Sequence, residues 1–227
     1  MESVKARIKN ASINIVAAKL QKRYGAFHHY NKKNPLDELI FIICSVKRRE
    51  DRYLLAFRDL KRAFPSYKKL SVASLYRIRA VLTPYGLQNE KALAIKQILE
   101  AVIERFGRPT LSPLGIMNDT DCEAFLLGLR GVGKKVARCV MMYSLGRAVF
   151  PVDSNCWRVC QRLGWVNWRH NRNTISSKDM DLLQARIPER LRASLHLNMV
   201  SHGRSICTVR KPKCVSCMIK NHCRYKG

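Results

Sequence analysis

A lysine placed just after a glycine-flanked turn, with a carboxylate eighteen residues further on, can act on a sugar phosphate. The turn is Leu129-Arg130-Gly131-Val132-Gly133-Lys134-Lys135, and the carboxylate is Asp153 in Phe150-Pro151-Val152-Asp153. Glycines 131 and 133 can take positive φ and carry no Cβ to hold a phosphate away. A helix predicted over Lys134 to Leu145 starts there, so its unpaired N–H groups and positive dipole end point at the same anion. The amine can attack a sugar carbon, and the carboxylate can stabilise the positive charge that develops there. Lys135, in a first helical turn beside Lys134, sits where its charged form is disfavoured. The plainer alternatives are an ordinary αα-turn, a phosphate-contacting Lys135, and an Asp153 that only caps the helix starting at Ser154.

Charge favours the chemical reading. The chain holds 43 Lys+Arg against 16 Asp+Glu, a formal net charge of +27, and its pI is near 10.2. The basic clusters Lys47-Arg48-Arg49, Lys61-Arg62, Lys68-Lys69, Lys134-Lys135, Arg169 to Arg172 and Lys211 to Lys213 are spread along the chain rather than gathered in a tail. That pattern implies a folded body with a basic face for a polyanion, most simply nucleic acid. No segment reads as a basic amphipathic membrane anchor or a long apolar span, and Met1 to Lys5 lacks the apolar core of a signal peptide. A reduced, intracellular protein is expected, with its nine cysteines as thiols or metal ligands.

The elements that must position these groups are helical nearly throughout. Asn34-Pro35 signals a helix start, with Asp37 and Glu38 in the first turn. The run Ile40 to Ile43 also suits a buried strand, but its surroundings favour helix. Helices are predicted over 51–64, over 72–82 with Ser71 as cap, and over 91–106 with a stop at Gly107. Further helices are predicted over 122–127 with Asp121 or Thr120 as cap, over 134–145 with a stop at Gly146, over 154–163 with a stop at Gly164, and over 178–186 and 188–202. At 227 residues and 47% hydrophobic content the chain suffices for one large or two small domains.

The tail holds a second constellation. Cys207, Cys214, Cys217 and Cys223 give C-x6-C-x2-C-x5-C in a loop-like, basic segment. Four thiolates this close can close a metal site, and a single C-x2-C pair leans toward an iron–sulfur cluster rather than zinc. His222 is a candidate substitute ligand, though a solvated turn residue is the plainer reading. Cys44, Cys122, Cys139, Cys156 and Cys160 fall on predicted helices and read as small buried hydrophobes.

The hairpin LRGVGKK, the segment VDSNCWRV and the terminal cysteine pattern resemble, in this order and separation, the endonuclease III branch of the helix-hairpin-helix DNA glycosylases. The resemblance runs from about Pro35 to Cys223. It implies an all-α protein: a six-helix barrel domain over 35–149, with the helix-hairpin-helix at about 122–145, and a cluster domain from 1–34 plus 150–227. It implies Lys135 as nucleophile, Asp153 as its partner, and a [4Fe–4S] cluster on Cys207, Cys214, Cys217 and Cys223. Arg130, Gly131, Val132, Gly133, Lys134 and Ser154 would meet the DNA backbone. Lys47 would stand where the family has a glutamine wedge that fills the gap left by an extruded base. The expected activity is that of a bifunctional glycosylase and abasic-site lyase, a monomer acting on duplex DNA with an altered, oxidised pyrimidine. Three departures bear on substrate: Arg130 for the family's proline, Lys47 for its glutamine, and Ser154-Asn155 for its Thr-His. Phe150 to Asp153 and Arg162 to Val166 also resemble the plant 5-methylcytosine glycosylases, which leaves 5-methylcytosine or a mismatched base as an alternative. A DNA-binding module without catalysis is the alternative of another class, and it would have no use for the spacing of Lys135 and Asp153.

Overall fold

The computed structural model describes residues 2–25, 31–46, 50–166 and 175–225, with backbone alone for 2–11 and 50. Secondary structure among them is helical throughout, and the chain divides into two compact units, 30–147 and 1–29 with 148–227. No helix among the described residues is long and apolar enough to cross a membrane.

The contiguous unit holds α2 (Pro35–Ser45), α3 (Glu50–Ala63), α4 (Tyr67–Val72), α5 (Leu75–Leu82), α6 (Gln88–Phe106), α7 (Asp119–Gly128) and α8 (Lys134–Leu145). The Asn34 side chain accepts from the N–H groups of Leu36 and Asp37 at 3.0 and 3.1 Å, so α2 starts as its cap and proline predict. Residues 38–44 are buried on every side of α2, which makes it a central helix rather than an amphipathic one. It packs against α3, α6 and α8. Its apolar run Ile40 to Ile43 is therefore helical.

Two predicted caps are corrected. Ser71 lies inside α4, and α5 is capped by Ser74, whose Oγ accepts from Arg77 N–H. Helix α7 begins three residues before the predicted Cys122, because the Asn118 side chain, not Asp121 or Thr120, takes the Asp121 N–H at 2.9 Å. By contrast, α8 spans Lys134 to Leu145 as predicted. It ends at Gly146 in the left-handed region, φ 65°, with Arg147 N–H closing on the Met141 carbonyl at 2.9 Å.

The second unit joins α1 (Glu2–Tyr24), α9 (Ser154–Arg162), α10 (Ser177–Arg186) and α11 (Glu189–Ser205). Helix α11 packs against α1 and α9. Ile13, Val16, Ala17 and Leu20 of α1 form one buried stripe in a core that includes Phe150, Trp157, Leu195 and Met199. Two short 3-10 turns, Cys214–Ser216 and Lys220–His222, shape the cysteine tail.

Candidate active site and cysteine-lined cavity

The turn between α7 and α8 is tight. Leu129 N–H bonds the Leu126 carbonyl at 3.2 Å and Val132 N–H bonds the Leu129 carbonyl at 3.1 Å. Gly131 takes φ 74°, the conformation that favours glycine. Gly133 does not. It is extended, φ −92° and ψ 173°, and serves as the N-cap of α8 with no side chain to offer. A Cβ built there would meet nothing within 4 Å, so its face is open. Arg130, Gly131 and Gly133 are exposed, whereas the Val132 side chain is buried and anchors the turn from within. The two helices are held by Arg138 of α8, 2% exposed, whose Nε donates to Glu123 of α7 at 2.7 Å. Arg147 fixes the approach to α7, pairing with Asp119 at 2.8 Å and donating to the carbonyls of Leu114, Gly115 and Met117. Lys134 and Lys135 occupy the first turn of α8 and are half-buried.

Asp153 is the N-cap of α9, and Ser154 is the first, exposed residue of that helix. Asp153 Oδ1 accepts from Cys156 N–H at 2.8 Å and Oδ2 from the Asn155 amide at 3.0 Å. Burial works against its charge, but nearby His196 and these two donors outweigh it and hold the carboxyl below its ordinary value. His196 is buried on α11, with Nδ1 at 2.9 Å from the Pro151 carbonyl. The network continues away from Asp153. Asn155 Oδ1 accepts from Arg158 Nη2 at 2.8 Å, and Arg158 Nε donates to the Cys207 carbonyl at 2.7 Å. Gly203 makes this possible, since a Cβ there would come within 2.6 Å of Asn155 Cβ. Arg158, His196 and Gly203 escaped the sequence reading, which noted Asn155 only as a departure bearing on substrate. Only the positions of Asn155 and Arg158, two and five residues after Asp153, hinted at this network.

Cys207, Cys214, Cys217 and Cys223 line one cavity, together with Arg162, His202 and apolar side chains such as Val159 and Ile219. Arg162 Nη1 lies 3.1 Å from Cys207 Sγ, and its guanidinium stacks 4.3 Å from the Tyr225 ring. Burial raises the Cys217 and Cys223 thiols above their ordinary value, and neighbouring cysteines add to it. Among the described residues no set of three His, Cys, Asp or Glu side chains forms a ready-made site for a single metal ion. The remaining five cysteines are buried on helices. Lys47 lies outside the described residues.

A family model for the HhH-GPD superfamily of base excision DNA repair proteins matches residues 4–184. The chain belongs to that family. An endonuclease III of Thermotoga maritima is 28% identical over 213 residues, covering 94% of this chain and 92% of that protein. A putative DNA glycosylase of Arabidopsis thaliana is 32% identical over 187 residues, covering 80% of this chain and 62% of the plant protein. In structure, the endonuclease III of a non-covalent endonuclease III–DNA complex superposes with a TM-score of 0.81 over 95% of both chains at 22% identity, a likeness of fold. This is an endonuclease III-like HhH-GPD DNA glycosylase of base excision repair. Its all-helical architecture is that of endonuclease III.

Proposed function

We propose that this HhH-GPD protein is a bifunctional glycosylase and abasic-site lyase that removes altered pyrimidines from duplex DNA through Lys135. The observation that carries the reading is the placement of Lys135 in the first turn of α8, directly after a glycine turn whose helix end has no side-chain cap. DNA phosphate would lie against the Gly131–Gly133 backbone and the positive end of α8, with Arg130 and Lys134 beside it. The N-glycosidic bond breaks with its electron pair leaving on the base, and Asp153, held ionised, stabilises the charge left on the sugar. The Lys135 amine forms a bond to C1′ and, with loss of its proton and opening of the ring, gives an imine. The imine acidifies C2′. Loss of a C2′ proton then expels the 3′ phosphate and cuts the strand.

Borohydride should trap Lys135 on abasic-site DNA, and Lys135→Ala should abolish trapping while duplex affinity falls less than tenfold. Full trapping in Lys135→Ala would remove the nucleophile assignment. Assay of duplexes each bearing one modified base tests the substrate: release of oxidised pyrimidines is expected, and release of 5-methylcytosine or mismatched thymine alone would replace that choice.

The same reading includes a [4Fe–4S] cluster on Cys207, Cys214, Cys217 and Cys223. What supports it is four sulfur donors around one cavity, an N–H donor at Cys207 Sγ, and an apolar wall. Bound there, the group would supply a four-point cross-link for the loop 207–223. Purified protein should be brown with a broad absorption near ~400 nm, as iron–sulfur thiolate ligation gives. A colourless protein with one zinc per chain would overturn this part.

A further inference from the structure

One wall of the cysteine-lined cavity is a buried cation. Arg162, the last residue of α9, lines the cavity and is 6% exposed. Its Nη1 donates to Cys207 Sγ at 3.1 Å and to the Thr208 carbonyl at 2.9 Å, and its Nη2 donates to the Val209 carbonyl at 3.3 Å. Its Cζ lies 4.3 Å from the centroid of the Tyr225 ring, which limits how the guanidinium can turn. The Arg162 carbonyl, free at the helix end, accepts from Arg224 N–H at 2.7 Å and from Cys223 Sγ at 3.3 Å. One residue thus meets both ends of the cysteine segment, 207–209 and 223–225.

A strut at this place needs hydrogen bonds but no charge. Arginine brings both, and the charge is costly there, because a buried cation needs an anion. The hydrogen-bond acceptors of the Arg162 side chain among the described residues are two carbonyl oxygens, which are neutral, and one cysteine sulfur. Its Nε is buried and bonds no acceptor among the described residues. An N–H hidden from water without a partner is disfavoured in its own right. Both observations ask for the same thing, negative charge and a further acceptor in the cavity that Arg162 lines. An iron–sulfur centre on four thiolates brings both, and four protonated thiols bring no charge. Among the described residues of that lining, Arg162 is the one permanently charged side chain.

We propose that Arg162 is a positioning residue of the cluster site, a built-in counter-cation that raises the reduction potential of the group held by the four cysteines. The inference rests on the [4Fe–4S] reading of Cys207, Cys214, Cys217 and Cys223. The sign follows from charge. A centre held by four thiolates is negative, and each electron it takes from an outside one-electron donor makes it more so. A fixed cation bonded to a ligand sulfur, in a wall of low dielectric, favours the more negative form most. Donation of an N–H to the sulfur acts in the same direction. Arg162 therefore decides at what potential the group gains or loses its electron. That role is separate from holding the two ends of the loop together, which its backbone carbonyl already shares.

Voltammetry of the purified protein, read beside its iron content and visible absorption, tests this. At a fixed potential Arg162→Gln should hold about tenfold less of the reduced form, a fall of ~59 mV for one electron. Arg162→Lys, which restores the charge but not the planar fork, should recover part of that shift. A merely structural Arg162 predicts another outcome, less iron per chain and a native potential in the centres that remain. That result, or an unmoved potential at full iron content, would overturn the proposal. Should Arg162→Gln lose its iron or fail to fold, the native protein decides. With arginine nitrogens labelled, the Nε–H resonances of both Arg158 and Arg162 should be broadened by the iron and protected from exchange with water. Arg158 is the internal reference, since its Nε donates to the Cys207 carbonyl. Such behaviour in only one arginine would overturn the proposal, because the Arg162 Nε–H would then be bonded to water. A colourless native protein would overturn the cluster reading and this inference with it, whereas a brown one whose potential ignores Arg162→Gln would overturn this inference alone.

Discussion

Helices α8 and α9 each begin at an extended residue and each present a positive end, but they use that end in opposite ways. At α8 the cap is Gly133, which brings no side chain. At α9 the cap is Asp153, whose carboxylate takes the Cys156 N–H and is held ionised. The first leaves the helix dipole for an anion supplied from outside. The second spends it on an anion of the chain itself, which then stays charged in a half-buried place. One physical device thus leaves a helix end without a side-chain cap in one unit and holds a stable carboxylate in the other. The difference is the presence or absence of a single side chain.

The largest expected effect comes from separating the charge of Asp153 from its capping. Asparagine caps a helix about as well as aspartate. Asp153→Asn should therefore leave thermal stability near native while base excision slows by a hundredfold or more, the scale of losing an electrostatic stabiliser. Near-native excision would reduce Asp153 to a cap. The same variant should change the acid limb of stability. The carboxyl lies below its ordinary value when folded, so its contribution is full above the unfolded value of 3.8 and is lost as pH falls through the lower folded one. Acid unfolding of Asp153→Asn should lack that dependence.

A smaller effect should follow from giving α8 the cap that α9 has. Gly133 has a backbone any residue can adopt and open space at its Cβ. Gly133→Asp should thus fold, gain at most a few tenths of a kcal/mol from capping, and bind duplex DNA about tenfold more weakly as its carboxylate takes the phosphate seat. Unchanged affinity, measured at fixed salt, would mean that phosphate is not seated there. The smallest effect belongs to Gly131, where φ is 74°. Gly131→Ala should cost about 1 kcal/mol in stability, read as a lower midpoint in urea, with no change in the slope.

How far these features were legible differs by range. Helix α8 was readable to the residue because its apolar positions recur over three turns and a glycine ends it. Helix α4 was not, because six residues cannot show a period, and Ser66, Ser71 and Ser74 all offer plausible caps. At α7 the run Asn118-Asp119-Thr120-Asp121 offers four capping side chains, and only the chain path chooses Asn118. Glycine content did not reveal which residue of the hairpin needs positive φ, since that depends on the turn closing through Leu129 and Val132. The surroundings of Asp153 were hidden for another reason. His196 and the Cys207 carbonyl come from tens of residues away. Glu38 read as a helix-start acid, and nothing local showed that it is fully buried and bonded to Asn31 and Lys32.

The path of the chain through its second unit sets an order of assembly. Helix α1 is made before the rest of its unit, yet the residues that cover its stripe lie far along the chain. Gln21 bonds the Asn198 side chain, 177 positions away. At about 5–20 residues per second of synthesis, that partner follows by roughly ten seconds or more. Residues 30–147 form a continuous stretch and can collapse on themselves in the interval. Helix α1, made before α2 to α11, is thus covered only when α11 follows, and for that time Ile13, Val16 and Leu20 stand open to any other apolar surface. A nascent chain stalled before α11 would carry a finished inner unit and an uncovered apolar helix, which marks it for capture by chaperones or for clumping with its copies.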